Sequence, residues 1–120
     1  MEYNKKVTEH FLHPHNLGRL PKYNYTAEAA NPTCGDAVKF YFDVDSKSER
    51  IEKVGIEVLG CGAAIASCSV ASEMLTGKTL TEAKKISNQA IVDELGGLPS
   101  EKINCSLLVE QAVGRVKINK

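Results

Sequence analysis

Residues 38–44 read VKFYFDV, and this stretch decides the fold. Its apolar residues stand at every second position, a period of two that is typical of a strand with one buried face. Residues 23–29 and 54–58 alternate in the same way. Short polar connections join the three stretches, which predicts a three-stranded antiparallel meander with one face buried.

Two segments outside the predicted strands, one before them and one after them, have sequence patterns typical of helices. We predict a helix over residues 2–12. It is expected to end there because the stretch at 13–18 contains a proline and a glycine. Residues 63–75 place small and apolar side chains on one stripe, and Gly77 follows as a stop signal.

The C-terminal part predicts further helices. Thr79 and Glu82 have the spacing of a capping box. A short helix is expected within 88–97, and a final helix is expected to begin near Asn104, with that asparagine as its N-cap. Because the strands come first and the helices follow, the predicted fold class is α+β, with helices packed on one face of the three-stranded antiparallel sheet.

Length and composition limit the classes of function. The chain has 120 residues, which predicts a single domain over 1–120. Its 15 basic and 15 acidic residues cancel, which argues against nucleic acid or a membrane as partner. We find neither an apolar run of about 20 residues nor a signal-peptide core, so we expect a cytoplasmic protein with reduced thiols.

The cysteines at 34, 61, 68 and 105 are therefore candidate metal ligands, reactive thiols or core residues, not a disulfide framework. Cys34 follows a proline turn and precedes Asp36 by two positions, which predicts a thiol near the surface. Cys61 lies between two glycines, whose lack of side chains would let a metal or another protein's sulfur approach.

The other two thiols lie on predicted helices. Cys105 falls in the first turn of the final helix, where backbone amides and the helix dipole favour a thiolate. It also falls on the apolar stripe of that helix, so a site residue and a core residue are equally open. Cys68 is mid-helix on an inward stripe and is expected to be a buried, inert thiol, although a supporting role stays open.

A thiolate and carboxylate group is the possible metal centre. Cys34, Asp36, Cys61 and Cys105 offer three sulfurs and one oxygen, enough for tetrahedral zinc or for an iron–sulfur cluster. All of these thiols fall at turns or at ends of predicted elements, where α+β domains often build their sites.

Three segments carry a family resemblance. NPTCGD at 31–36, GCGAAIASCS at 60–69 and KINCSLLVEQAV at 102–113 resemble, in the same order, the three cysteine motifs of IscU/NifU-type iron–sulfur cluster assembly scaffolds. The similarity extends through residues 3–20 and 75–86. It covers nearly the whole chain.

The resemblance implies a scaffold, not an enzyme, and the sequence shows no acid–base pair typical of catalysis. Such a scaffold would take sulfur from a cysteine desulfurase and iron from an iron donor, hold a transient [2Fe–2S] cluster, and pass it to apo-protein acceptors. The matched motifs make Cys34, Cys61 and Cys105 the ligands and sulfur acceptors, with Asp36 as a conditional fourth ligand. A hard oxygen ligand binds soft cluster iron weakly, so ligation by Asp36 would make the cluster easy to release.

The sequence departs from the family pattern at two places. Asn104 stands where the family usually has histidine, so the fourth bond must come from Asp36, a bound thiol, water or a partner. The stretch 98–102 has Ser100 in place of the second proline of a Leu-Pro-Pro-x-Lys segment, and it is expected to be an exposed loop. An Hsp70-type chaperone as partner is therefore left open.

Other interpretations of the same residues remain. A zinc-binding sulfur-transfer protein, a persulfide carrier, could use the same four ligands, with Zn²⁺ present in the isolated protein. A structural zinc domain is the third reading. The closely spaced His10, His13 and His15 are expected to be surface histidines, more than a metal site. The oligomeric state, including a homodimer, is open.

Overall fold

The structure is a computed structural model that describes residues 3–32 and 35–118. The elements lie along the chain in the order α1 (Lys5–Leu12), β1 (Tyr25–Asn31), β2 (Asp36–Val44), β3 (Ile51–Leu59), α2 (Gly62–Leu75), α3 (Leu80–Ala83), α4 (Asn88–Glu94), a 3₁₀ turn (Ser100–Lys102), α5 (Ile103–Gly114) and β4 (Lys117–Ile118).

The sheet confirms the α+β class and corrects its strand number. The strand order is β3-β2-β1-β4, and each neighbouring pair is antiparallel. The prediction of three strands is wrong, because the two-residue β4 pairs with the start of β1. Two residues are too few for a period of two to be read from a sequence.

The core lies between the sheet and the helices α2 and α5. Phe40 and Phe42 of β2 are fully buried, and so is Ile56 of β3. Their side chains join one apolar cluster with Leu75 of α2 and Val109 of α5. The alternation seen in the sequence therefore reports the face of the sheet that the helices cover.

The segment after α1 lies against β3. The backbone N–H of Gly18 donates to the carbonyl of Ile56, and the N–H of Ile56 donates to the carbonyl of Asn16. A Cβ on Gly55 would overlap with the Gly18 carbonyl oxygen, so this close approach requires glycine at 55.

Most helix ends follow the predicted signals. Thr79 and Glu82 form both hydrogen bonds of the capping box at the start of α3. Gly77, just beyond α2, has a φ of +90°. The first helix begins at Lys5, later than predicted, because the Asn4 side chain accepts from Val7 N–H and caps it there.

The predicted cap of the last helix is wrong. Helix α5 begins at Ile103 with Lys102 at its N-cap position, and no side chain caps it. Asn104 is thus already inside the helix. The preceding 3₁₀ turn leads directly into α5, so the start lies earlier than the asparagine indicated. Among the described residues, no helix has the length and apolar character needed to cross a membrane.

Candidate metal centre

Three of the four predicted ligands meet at one end of the sheet. Asp36 is the first residue of β2, Cys61 is the N-cap residue of α2, and Cys105 lies in the first turn of α5. Their ligand atoms all lie within 4.8 Å of one another. Cys105 Sγ is 3.6 Å from Cys61 Sγ and 3.9 Å from Asp36 Oδ2. Cys34 lies outside the described residues.

Strand pairing brings these residues together. The start of β2 lies beside the end of β3, with Ala37 opposite Leu59, so the chain leaves the sheet next to Asp36 and enters α2 at Cys61. Helix α5 packs against β1 and β2 and brings Cys105 to the same end.

The two glycines around Cys61 lie against side chains of the same chain. A Cβ on Gly60 would lie 2.7 Å from Asp36 Oδ1, and one on Gly62 would lie 3.2 Å from the Phe11 ring. Both glycines therefore admit side chains of the same chain, and Gly60 lets the carboxylate lie close to the thiols. Their role in letting a metal or another sulfur approach Cys61 stays a prediction.

The electrostatic environment makes Cys61 the more acidic thiol. Burial raises the pKa of Cys61, but the amides of Ala64 and Ala63, the Cys105 thiol and the Lys102 charge together lower that pKa below its ordinary value. The amides act through the field of the α2 N-terminus, because Cys61 makes no side-chain capping hydrogen bond. Cys61 is partly exposed, so its sulfur is a nucleophile that other molecules can reach.

Cys105 behaves in the opposite way. It is only 5% exposed and packs with Ala63 and Ala64. Burial raises the pKa of Cys105 to about 12, and the hydrogen bond to Cys61 and the charges of Cys61 and Asp36 add to this effect. The prediction of a Cys105 thiolate is therefore wrong. Both readings of its position hold, since it faces the site and belongs to an apolar cluster.

Lys102 is a site residue that the sequence did not reveal. The Cys61 charge, followed by Tyr3, raises the pKa of Lys102, so the ammonium group and the Cys61 sulfur lie close enough to interact electrostatically. With Asn104 and the three ligand residues, Lys102 lines a cavity of about 200 Å³. The only signal was its place three residues before Cys105. The stretch 98–102 is accordingly no simple exposed loop, since it ends in a 3₁₀ turn beside the site.

Cys68 is fully buried, as predicted. Burial raises the pKa of its thiol far above the ordinary value, and the charges of Cys105 and Asp36 act in the same direction. A neutral thiol in an apolar core is chemically inert. Among the described residues, Cys68 does not belong to the group of converging ligand atoms.

The histidines only partly match their prediction. His13 and His15 are exposed, but the His10 side chain is only 16% exposed. Its Nδ1 lies 2.7 Å from the Ser69 hydroxyl. Burial lowers the pKa of His10, although the charge of Glu73 opposes this. The surface prediction is thus wrong for His10, which packs against α2.

The α+β fold, with two thiols and one carboxylate at one end of its sheet, agrees with the scaffold family that the cysteine motifs resemble. The chain belongs to the NifU-like N-terminal domain family, whose model matches residues 2–118. This confirms the resemblance of the three cysteine motifs.

Individual relatives agree with this assignment. The chain is 41% identical over 117 residues to the iron–sulfur cluster assembly scaffold protein IscU 1 of Archaeoglobus fulgidus, covering 98% of this chain and 75% of that protein. It is 44% identical over 107 residues to scaffold protein IscU of Aquifex aeolicus, covering 89% and 68%.

A solved structure shares the fold. It is a putative iron–sulfur cluster assembly scaffold protein for the SUF system from Fervidobacterium islandicum, with a TM-score of 0.71 and 23% identity. The match covers 92% of this chain and 93% of that one.

Proposed function

We propose that residues 1–120 form one scaffold domain that assembles iron–sulfur clusters and passes them on. The observation that carries this proposal is the convergence of Cys61, Cys105 and Asp36 from three separate elements within 4.8 Å. The scaffold proteins at 41% and 44% identity support it. The domain acts as a carrier, and the cluster is its cargo.

The ligand set of the proposal is Cys34, Asp36, Cys61 and Cys105. Cys34 is two positions from Asp36, so covalent geometry limits the separation of their Cα atoms to about 7.6 Å. Three thiolates and one carboxylate can hold a [2Fe–2S] cluster. Asn104 is assigned no bond, because an amide is a weaker iron ligand than the histidine found in relatives of this type.

Cys61 is the first sulfur acceptor in this proposal. Its thiolate attacks the terminal sulfur of a persulfide on a cysteine desulfurase. The sulfur–sulfur bond of the donor breaks, a new one forms at Cys61, and the donor leaves as a thiolate. For each sulfur, a two-electron reductant such as a dithiol then cleaves the new sulfur–sulfur bond, which releases sulfide and restores the Cys61 thiolate. Iron from an iron donor combines with this sulfide in the cytoplasm, where thiols stay reduced.

Asp36 keeps the cargo releasable. Oxygen is a hard ligand and cluster iron prefers thiolates, so the bond to Asp36 is the weakest of the four. Transfer to apo-protein acceptors begins when this bond opens. Replacing Asp36 by alanine should change the transfer rate, and an unchanged rate would count against this role.

A zinc-binding persulfide carrier is the second candidate. Tetrahedral zinc with Zn–S bonds of about 2.3 Å places two sulfurs about 3.8 Å apart. The separation of 3.6 Å between Cys61 and Cys105 is close to that value. Zinc would hold the thiolates until a persulfide is delivered. If zinc were structural instead, chelation would unfold the protein.

Anaerobic reconstitution with iron, cysteine, a cysteine desulfurase and a dithiol reductant tests the leading proposal. The visible spectrum and the iron and sulfide content are measured for the protein and for single alanine variants of Cys34, Cys61 and Cys105. Cys68→Ala is the matched control. A [2Fe–2S] spectrum that the unmodified protein and the Cys68→Ala control show, and that each of the other three variants loses, supports the scaffold. A colourless protein that holds one tight zinc ion supports the second candidate.

A further inference from the structure

A second group of ligand atoms lies on α2, away from the cysteines. His10 of α1, His15 of the following segment and Glu73 of α2 have ligand atoms within 4.8 Å of one another. At 1.5 Å per residue, Glu73 lies about 18 Å along α2 from Cys61. No cysteine described in the structure belongs to this group.

A buried hydroxyl positions both histidines. Ser69 is fully buried on α2, and its Oγ lies 2.7 Å from His10 Nδ1. The backbone N–H of His15 donates to the same oxygen at 2.8 Å. One serine therefore anchors the His10 ring and the backbone that carries the second ring.

Both rings face one carboxylate. His10 Nε2 lies 3.9 Å from Glu73 Oε1, and His15 Nδ1 contacts the same oxygen. The two ring centroids are 4.9 Å apart. If both rings were protonated they would repel each other at this distance. A divalent cation between the two rings and the carboxylate would take the place of the proton that joins His15 Nδ1 to Glu73 and would be held by both ring nitrogens.

The hydrogen bond to Ser69 suits metal binding by His10. When Nδ1–H donates to the serine oxygen, Nε2 carries the lone pair and faces Glu73. Metal-binding histidines are usually oriented in this way, through a hydrogen bond from the other ring nitrogen. The half-exposed pair of His15 and Glu73 alone would contribute little to stability.

We propose that His10, His15 and Glu73 bind a divalent first-row transition-metal ion such as Zn²⁺, with water completing the coordination. Two histidines and a glutamate are an established zinc donor set. Bonds of about 2.0–2.1 Å to tetrahedral zinc place neighbouring donors about 3.3 Å apart. His10 Nε2 and Glu73 Oε1 are 3.9 Å apart and must approach by about 0.6 Å to reach that value, whereas His15 Nδ1 and Glu73 Oε1 must move apart. The Glu73 side chain is 47% exposed and has room to change rotamer.

The bound ion would link α1 to α2 through ligands on both helices. His10 lies on α1, whereas Glu73 and Ser69 lie on α2. Phe11, which follows His10 at the C-terminal end of α1, and Tyr3, which precedes α1, both lie against Gly62, the residue after Cys61. Metal binding at the histidines thus stabilises the helix that covers the start of α2.

Zinc titration of a variant without the three site thiols tests the proposal. The variant carries serine at Cys34, Cys61 and Cys105, and binding is measured by calorimetry with Zn²⁺ alone. We expect one ion per chain, with affinity reduced at least tenfold by His15→Ala and by Glu73→Gln. His13→Ala, which removes an exposed histidine outside the group, is the matched control and should bind as before.

Two results would overturn the proposal: no zinc bound to the folded thiol-free variant, or an equal loss in the His13→Ala control. If the thiol-free variant does not fold, Co²⁺ replaces zinc in the unmodified protein. A second equivalent of Co²⁺ should then add absorption bands without sulfur-to-cobalt charge transfer, and His15→Ala should remove them. Bands that persist in His15→Ala would also refute the site. Failure of either test leaves the scaffold proposal untouched, because that rests on the cysteines.

Discussion

The Sγ atoms of Cys61 and Cys105 lie 3.6 Å apart although 44 positions separate the residues in the chain. The two thiols are unequal. The α2 N-terminus and Lys102 act on Cys61, whereas Cys105 is buried against alanines. The pair therefore loses its first proton from Cys61, which gives the site one nucleophile and one thiol that ionises when a metal arrives.

Alkylation should distinguish the two thiols. The pKa of Cys61 is lowered, so its thiolate persists as the pH falls to values at which an ordinary thiol is protonated. Burial, first of all, raises the pKa of Cys105 to about 12, so this thiol stays protonated until strongly alkaline pH. Peptide mapping after iodoacetamide treatment from pH 6 to 9 should therefore show Cys61 modified first. Faster modification of Cys105 would contradict the assignment.

Removing the nearby cation should slow the reaction of Cys61. Lys102→Gln raises the pKa of Cys61, because a positive charge that favours the thiolate is lost. We expect alkylation at pH 7 to slow by up to about tenfold, the effect of one pKa unit. Lys102→Arg keeps the charge and should react nearly as fast as the unmodified protein. Lys84→Gln, at an exposed position, serves as the distant control.

A fourth thiolate ligand should slow the release of the cluster. Asp36→Cys replaces the hard oxygen ligand with sulfur, so cluster transfer to an apo-ferredoxin should slow by roughly tenfold, which corresponds to about 1.4 kcal/mol. Circular dichroism of the acceptor follows the transfer. Asp93→Cys adds a thiol on the exposed side of α4 and should transfer normally. Equal rates in both variants would argue against weak ligation by Asp36.

Cys68 should affect stability but not cluster binding. Cys68→Ala removes one buried sulfur from the core and should lower the free energy of unfolding by about 1 kcal/mol. Cys68→Ser buries a hydroxyl there and should cost about 1–3 kcal/mol. Urea denaturation measures both. Loss of the reconstituted spectrum in folded Cys68→Ala would show that this thiol takes part in the site.

Glycine substitutions should separate close packing from open space. A Cβ on Gly55 would overlap with the Gly18 carbonyl, so Gly55→Ala should cost about 1–3 kcal/mol. At Gly114, the last residue of α5, a Cβ would meet no atom within 4 Å. Gly114→Ala should therefore leave stability unchanged or raise it by about 0.5–1 kcal/mol. Equal effects in urea denaturation would refute the packing at Gly55.

The strands and most helices were predictable because burial leaves a period in the sequence. Phe40, Phe42 and Ile56 alternate with polar residues since one face of the sheet meets the helices. The pair Lys117–Ile118 was not predictable, because so short a strand has no period. Asn104 misled because asparagine is a good N-cap in general, yet the 3₁₀ turn starts the helix earlier.

The convergence of three of the candidate ligands was predictable from the sequence, but their electrostatics were not. Sequence motifs named Asp36, Cys61 and Cys105, whereas their separations depend on strand register and on the packing of α5. Which thiol ionises depends on burial, and Cys105 lost the advantage of a helix start because its sulfur is covered. Lys102 looked like any surface lysine, since its electrostatic interaction with Cys61 exists only after folding.

The contact between the segment after α1 and β3 also bears on solubility. An exposed outermost strand offers free backbone groups with which another molecule can pair, the usual route to aggregation. Here the outer side of β3 is engaged at Ile56 by Asn16 and Gly18, and at Ile51 by Gly77 and Lys78. The scaffold can therefore leave its cysteine end open to partners while its outermost long strand resists unwanted pairing with other chains.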